Sequence, residues 1–219
     1  MLLRNVLLLL TTLFIMACSS QDDLKRAVRV ACVGDSITYG LTLKDRAHSA
    51  YPSQLGSLLG AKYSVKSFGR SGATLLANGD RPYIKSKEFA ASLEFKADVV
   101  VIMLGTNDTK ERNWIMKEQF EADYLDLIER YRHSNADVKI LIALPPPIYS
   151  NCCGMSNSKV ERAIVPIIKK VAQKSGLGVV DNYSVLREKK LFTDGVHPNS
   201  EGSRIIAQQV YREIRKLEH

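Results

Sequence analysis

Hydrophobic residues cluster in five short runs along the chain, and longer segments with helical spacing separate these runs. At least three of the runs are rich in β-branched residues and lack polar alternation, as expected for strands buried on both faces. The five predicted strands are VRVACV (28–33), YSVKSF (63–68), DVVVIML (98–104), VKILIAL (138–144) and LGVVD (177–181).

Amphipathic helical patterns lie between these runs. The clearest extend from about Asn113 to His133, from Ser158 to Lys174 and from Asn199 to Leu217. Pro166 has no backbone N–H, so we expect it to kink or restart the second of these helices. Strands that alternate with helices predict an α/β fold, with a parallel sheet covered by helices on both faces. No internal repeat or low-complexity linker interrupts the pattern, which predicts one domain over residues 28–219.

The first residues differ from the rest of the chain. Arg4 precedes an apolar run from Val6 to Met16, which has the length of an export signal and is too short for a comfortable transmembrane helix. The sequence IMAC, which ends at Cys18, resembles a bacterial lipobox, with Ile15 where leucine is usual.

We therefore expect residues 1–17 to be a lipoprotein signal peptide, Cys18 to carry lipid, and residues 18–27 to form a short tether. The alternative is a plain secretory signal that is cut nearby. Lipid attachment anchors a protein to a membrane without making it span one. The expected location is the bacterial cell envelope, in the periplasm or at the outer membrane.

The net charge of +8 raises the question of nucleic-acid binding. However, Lys and Arg are interspersed with Glu along the predicted helices, as in KEQFEADYLDLIERYR, which is typical of solvated helix faces. Basic residues do not cluster with aromatic ones, so we expect no nucleic-acid partner.

The cysteines give no sign of a disulfide framework or a metal site. With Cys18 lipidated, an odd number remains: Cys32, which lies in a predicted strand and suits a core position, and the adjacent pair Cys152 and Cys153. Neighbouring cysteines rarely bridge each other, because the geometry is strained. The cysteine spacing matches no common zinc site, so no metal is expected.

Ligands bind to sheets of this kind outside the carboxyl ends of the strands. The first three strands are followed by GDSI, FGRSGAT and GTND. Ser36 lies at a strand-to-helix turn, where its hydroxyl is exposed near a helix N-terminus. Gly72 permits a close backbone approach to a ligand, and the Asn107 amide can donate a hydrogen bond to an oxyanion. Each segment taken alone is equally consistent with a turn or a helix cap.

The segment FTDGVHPNSEG, before the last predicted helix, supplies a base. A serine hydroxyl is a poor nucleophile until a base takes its proton, and His197 is suited to do so. Asp194, three residues earlier, can fix the tautomer and orientation of that imidazole. On its own an Asp-x-x-His pair also fits a surface contact, but these groups all fall at one edge of the predicted sheet.

The blocks GDSI, GRSGAT, GTND and DGVHP together resemble the SGNH hydrolases, also called the GDSL esterase/lipase family. The resemblance extends from Val33 to Pro198 and includes the order of the strands. It implies a flavodoxin-like three-layer α/β/α sandwich with a five-stranded parallel sheet. The one departure is Ile37, at a position where leucine is usual.

The resemblance also implies roles for individual residues. Ser36 would be the nucleophile, His197 the general base and later acid, and Asp194 its orienting partner. The oxyanion hole would use the backbone N–H groups of Ser36 and Gly72 and the side-chain amide of Asn107. No metal or organic cofactor is implied.

The substrate is less clearly indicated. VIMLGTNDTKERNW and PPPIYSNCCGMSN resemble exported bacterial carbohydrate O-acetylesterases, which implies an acylated carbohydrate as substrate, with acetyl favoured. Arg70, Asn113 and Trp114 are candidates for lining a sugar site; alternatively, Arg70 is a surface turn residue and Trp114 a core anchor.

Two other functions remain open at this point. One is a lysophospholipase or thioesterase that acts on lipid-like acyl groups, although the polar loops around the motifs favour a small acyl group on a polar alcohol. The other is a catalytically idle SGNH domain that binds glycan.

Overall fold

The computed structural model describes residues 26–150 and 152–217, apart from the side chain of residue 152. The predicted signal peptide, the lipidated Cys18 and all but the last two residues of the predicted tether lie outside these residues.

Five parallel strands form one sheet in the order β2-β1-β3-β4-β5. The strands are β1 (Val28–Gly34), β2 (Tyr63–Gly69), β3 (Val99–Met103), β4 (Lys139–Ala143) and β5 (Gly178–Val180). Every residue of β3 is buried, which explains its uniformly apolar sequence. This strand order is the flavodoxin-like doubly wound order, with its switch point between β1 and β3. It confirms the predicted fold class and all five predicted strands.

Helices cover both faces of the sheet. They are α1 (Ser36–Tyr39), α2 (Arg46–Ser49), α3 (Tyr51–Leu59), α4 (Lys87–Glu94), α5 (Glu111–Trp114), α6 (Phe120–Ser134), α7 (Asn157–Lys159), α8 (Val165–Ser175), α9 (Asn182–Val185) and α10 (Ser200–Lys216). Short 3₁₀ turns lie at Tyr83–Lys85, Asn107–Thr109, Lys117–Gln119, Cys152–Gly154 and Lys189–Leu191, and a π-helical segment at Val160–Ile164. Within residues 26–150 and 152–217, none of these helices combines the length and the apolar character needed to cross a membrane.

Two hydrophobic clusters lie on opposite faces of the sheet. One joins strand residues such as Val100 and Ile102 to Phe89 of α4, Leu127 of α6 and Ile168 of α8. The other joins strand residues to α3 and α10, including Leu55 and Val210. Cys32 belongs to this second cluster and is fully buried, as predicted. The molecule therefore has the three predicted layers.

The helix predicted from about Asn113 to His133 is not continuous. The chain forms α5, leaves helical geometry at Met116 (φ −103°, ψ 17°), passes through a 3₁₀ turn and only then enters α6. Ile115 fits the apolar spacing that predicted one long helix, yet it is 79% exposed. It therefore does not belong to a buried helix face.

The other two predicted helices are close to those observed. The π-helical segment Val160–Ile164 directly precedes α8, and Pro166 lies in the first turn of α8. The backbone stays helical across this junction, and the proline lies where the hydrogen-bond pattern changes from π-helical to α-helical. This is the predicted restart. At the last helix, Asn199 is the N-cap residue, and its side chain accepts a hydrogen bond from the Gly202 N–H.

Glycines at the ends of two strands bring α1 against the sheet. A Cβ on Gly34 would overlap the Thr38 hydroxyl and lie 2.6 Å from the Met103 carbonyl oxygen. Gly69 on β2 pairs with Gly34, and a Cβ on Gly69 would overlap the backbone nitrogen of Tyr39. Only the lack of side chains at both positions lets α1 start directly at the sheet edge, and this places Ser36 there.

Candidate active site

Ser36 is the first residue of α1, and only Asp35 separates it from the end of β1. The helix is capped by Asp35, whose Oδ1 accepts the Ile37 N–H at 2.9 Å. This cap fixes the turn that carries the serine. Ser36 is only 5% exposed, so the residue is nearly buried at the carboxyl edge of the sheet.

His197 connects Ser36 to Asp194. Its Nε2 lies 2.9 Å from Ser36 Oγ, and its Nδ1 lies 2.7 Å from Asp194 Oδ2. The second carboxylate oxygen, Oδ1, accepts the backbone N–H groups of Val196 at 2.9 Å and His197 at 2.8 Å. The Asp194 carboxylate is thus fixed by the loop that carries the histidine, and the structure brings the three predicted side chains into one hydrogen-bonded chain.

The environment of Asp194 favours its ionised form. Partial burial alone would raise the pKa of this carboxyl group, but the hydrogen bonds from His197 and Val196 outweigh it, and the net pKa is lowered. An ionised carboxylate at this position accepts a hydrogen bond from Nδ1–H of His197 and leaves Nε2 as the acceptor that faces Ser36.

The three predicted oxyanion donors belong to adjoining segments of the same edge. Gly72 has φ +79°, a conformation that suits glycine. The loop that carries Gly72 is joined to β1 by the Arg70 N–H, which donates to the Gly34 carbonyl at 2.9 Å. Asn107 is buried, and its Nδ2 donates to the Ala73 carbonyl at 3.1 Å and to Asp35 Oδ2 at 3.3 Å. Across the described part of the chain, the backbone N–H groups of Ser36 and Gly72 have no hydrogen-bond partner.

Asp108 holds two of these segments together, a role that the sequence did not reveal. Its two carboxylate oxygens accept the N–H groups of Leu75 at 3.0 Å and Leu76 at 2.8 Å. This joins the Gly72 loop to the turn that carries Asn107. The only sequence signal was a carboxylate next to Asn107 after a buried strand, which is equally consistent with a helix cap.

Burial shifts two carboxyl groups beside the site. It raises the pKa of Asp108 to about 7, with a further contribution from the nearby Asp35. It also raises the pKa of Asp35 to about 6, an effect limited by the hydrogen bond from the Ile37 N–H and by the charge of His197. Both groups are fully enclosed, so their charged forms lack hydration.

The three residues predicted to line a sugar site differ in how exposed they are. Asn113 is 1% exposed, and its amide bonds the Asp80 N–H, the Asp80 carboxylate and the Asn107 carbonyl oxygen. It therefore orients the Asn107 turn from within the protein and does not face a sugar site. Trp114 is half-buried against the core, with the Lys159 ammonium 5.8 Å from its ring. Arg70 is half-buried and donates to the Pro82 carbonyl at 3.2 Å.

Residues 32–205 match the model of the GDSL-like lipase/acylhydrolase family. The chain belongs to this family. This is the family that the four sequence blocks predicted.

A curated relative agrees with this assignment. The chain is 35% identical over 208 residues to an acetylxylan esterase from Xylanibacter ruminicola, an alignment that covers 86% of this chain and 43% of the relative. The chain thus spans less than half the length of that relative.

Solved structures confirm the fold. A carbohydrate acetylesterase family member from Sinorhizobium meliloti superimposes with a TM-score of 0.71 at 23% identity, covering 86% of this chain and 98% of that one. An aryl esterase from M. smegmatis superimposes with a TM-score of 0.72 at 21% identity, covering 87% of this chain and all of the other.

Proposed function

We propose that this protein hydrolyses O-acetyl esters of carbohydrates, with Ser36, His197 and Asp194 as a catalytic triad. The observation that carries the proposal is the position of His197, whose two ring nitrogens lie 2.9 Å from Ser36 Oγ and 2.7 Å from Asp194 Oδ2. The first distance is within the range that proton transfer from a nucleophile to its base requires, and the second is a hydrogen bond that orients the base.

In the first half of the reaction, His197 Nε2 takes the proton of Ser36 as Oγ attacks the carbonyl carbon of the ester. The negative charge that develops on the carbonyl oxygen is stabilised by the N–H groups of Ser36 and Gly72 and by Asn107 Nδ2. Collapse of the intermediate breaks the bond to the sugar oxygen, which leaves with the proton held by His197.

In the second half, water replaces the sugar. His197 takes a proton from this water, whose oxygen attacks the acetyl-serine carbonyl. Collapse of the second intermediate returns the proton to Ser36 Oγ and releases acetic acid, which ionises at neutral pH. Asp194, ionised because of its lowered pKa, stabilises the imidazolium in both halves. The chemistry needs no group beyond these side chains and backbone donors.

The substrate class follows from two supports. The acetylxylan esterase at 35% identity acts, by its name, on an acetylated polysaccharide. The loops beside the motifs, such as YGLTLKDRAHS and TKERN, are polar, which favours a small acyl group on a polar alcohol over a lipid-like chain.

The test compares turnover of the acetyl, butyryl and octanoyl esters of 4-nitrophenol by the purified protein, with Ser36→Ala as the control. We expect the acetyl ester to be preferred and the preference to vanish with the serine. Release of acetate from acetylated xylan then tests whether the acetyl group can be carried by a polysaccharide. A preference for octanoyl would overturn the acetylesterase assignment and point to lipid-like substrates.

We further propose that the protein is an exported lipoprotein with lipid on Cys18. The support is the charged start, the apolar run and the small residue before the cysteine in IMAC. Incorporation of labelled palmitate into the wild-type chain but not into Cys18→Ser would support lipidation. Equal labelling of both, or labelling of neither, would contradict it.

A further inference from the structure

A cavity of about 240 Å³ lies beside the loop that carries Asp194 and His197. It is lined by Pro147, Tyr149, Asn157, Glu161, Tyr183 and Arg187. These residues come from the segment after β4, from α7 and the π-helical segment, and from α9 and the residues that follow it. No residue of the proposed triad or oxyanion hole is among them, so this cavity is distinct from the catalytic centre.

The wall of the cavity is fastened to the catalytic loop. The Tyr149 N–H donates to the Gly195 carbonyl oxygen at 2.7 Å, and the Tyr149 ring packs on Phe192 with centroids 5.2 Å apart. Because Gly195 is two residues from His197, standard chain dimensions place the Tyr149 nitrogen within roughly 13 Å of the His197 Cα. A short oligosaccharide can span that distance.

Hydrogen bonds hold the two tyrosines of the cavity in place. The Tyr149 hydroxyl donates to the Leu186 carbonyl at 3.1 Å, and the Tyr183 hydroxyl accepts from Asn157 Nδ2 at 3.3 Å. The other amide atom of Asn157, Oδ1, accepts the Ile148 N–H at 2.9 Å. The aromatic surfaces are thus fixed before any ligand arrives, which lowers the entropy cost of binding.

The charged groups at the cavity leave bonding capacity unused. Neither Glu161 nor Arg187 forms an ion pair with the residues that the structure describes, and Arg187 uses only its Nε, which donates to the Ser184 carbonyl. The Glu161 carboxylate accepts hydrogen bonds and the Arg187 guanidinium donates them, and the two groups carry opposite charges. A ligand of strong single charge would meet one favourable and one unfavourable group, whereas a neutral polyol can use both.

We propose that this cavity is a subsite for one sugar residue of a polysaccharide main chain, which it holds while a neighbouring acetyl ester lies at Ser36. The volume is below the roughly 300–1,000 Å³ of pockets for drug-sized ligands, which suits a single ring. Tyrosine offers an apolar face to the C–H surface of a sugar, and Glu161 and Arg187 face its hydroxyl groups. This inference rests on the proposed function for its ligand class.

The experiment measures kcat/KM for acetylated xylan and for 4-nitrophenyl acetate, which is too small to reach both sites. In Tyr183→Ala and Arg187→Ala, the ratio of the two values should fall at least fivefold, through a higher KM for the polymer. Tyr183→Phe, which keeps the ring, should restore most of the ratio. Arg212→Ala, an exposed arginine on α10, is the matched control and should keep the wild-type ratio. Thermal melts establish that each variant is folded.

Direct binding of xylohexaose, which has no ester, separates this inference from the proposed function. Binding by the wild type that weakens at least fivefold in Tyr183→Ala supports the subsite even if no acetyl ester is hydrolysed. Hydrolysis of acetylated xylan with an unchanged ratio and unchanged xylohexaose affinity in both variants would overturn the subsite and leave the proposed function standing. Absence of xylohexaose binding to the wild type, together with an unchanged ratio, would overturn it as well.

Discussion

His197 Nε2 lies 2.9 Å from Ser36 Oγ, although 161 positions separate the two residues in the chain. The parallel sheet makes this contact possible, because Ser36 follows β1 at the carboxyl edge and the loop before α10 returns to that edge. Asp194 lies in the same loop as His197, three residues earlier, so the hydrogen bond between these two side chains is local. Among these three side chains, the contact between Ser36 and His197 is therefore the long-range one.

Asp194→Asn should lower kcat for 4-nitrophenyl acetate by about 10³- to 10⁴-fold, as loss of the carboxylate does in other serine triads. An amide at this position cannot stabilise the imidazolium, and its NH₂ group can reverse the tautomer of His197. Because the pKa of Asp194 is lowered, protonation of this carboxylate should not cause loss of activity in mild acid. Turnover within tenfold of wild type would show that Asp194 does not orient the base.

Asn107→Ala should lower kcat by about 100- to 1,000-fold, the usual effect of removing one oxyanion donor. KM should change little, because the donor acts on charge that develops in the transition state. Asn113→Ala, which removes the support of the Asn107 carbonyl and the two contacts with Asp80 but leaves the Asn107 amide in place, is the informative comparison. We expect a smaller loss of kcat and a larger loss of thermal stability. Equal kcat for Asn107→Ala and wild type would remove Asn107 from the oxyanion hole.

The buried Asp108 should make stability depend on pH. Its folded pKa of about 7 lies above the ordinary value near 3.9, so the folded state holds this proton more tightly than the unfolded state does. This contribution to stability is complete below about pH 4 and is lost as the pH rises through 7.

Urea unfolding of wild type and Asp108→Asn at several pH values tests this. The variant should be less stable, because asparagine leaves one of the Leu75 and Leu76 N–H groups without an acceptor, at a cost of about 1–3 kcal/mol. The advantage of the wild type should shrink from pH 5 to pH 8, since asparagine does not titrate. An advantage that grows with pH would show that the pKa of Asp108 is not raised.

Gly34→Ala should destabilise the fold, because the new methyl group would overlap the Thr38 hydroxyl and press on the Met103 carbonyl. Overpacking of this kind costs about 1–3 kcal/mol, and it should also displace Ser36 and reduce activity. Gly56→Ala is the matched control, since its added Cβ would find only ordinary contacts, 3.6 Å or more from Val65. Within helix α3 it should be neutral or stabilising. Equal melting temperatures for both variants would contradict the close approach of α1 to the sheet.

The sequence predicted the sheet well, because buried parallel strands such as Val99–Met103 have no polar residue to obscure their pattern. It also predicted that Ser36, Gly72, Asn107, Asp194 and His197 lie at one edge of the sheet, because each follows a strand or precedes the last helix. It missed the support of these residues by Asp108 and Asn113, because a buried side chain that bonds a distant backbone has no local pattern. The break after Trp114 was missed for a related reason, since the exposed Ile115 extends an apolar pattern past the end of α5.

The most direct test of this account is the turnover of 4-nitrophenyl acetate by Ser36→Ala, measured beside Ser57→Ala, in which an exposed serine on α3 is removed. Removing a triad member should lower kcat by several orders of magnitude, while both variants melt like the wild type. Ser57→Ala should keep full activity. If Ser36→Ala turned over the ester at the wild-type rate, Ser36 would not be the nucleophile, and the proposed mechanism would be wrong.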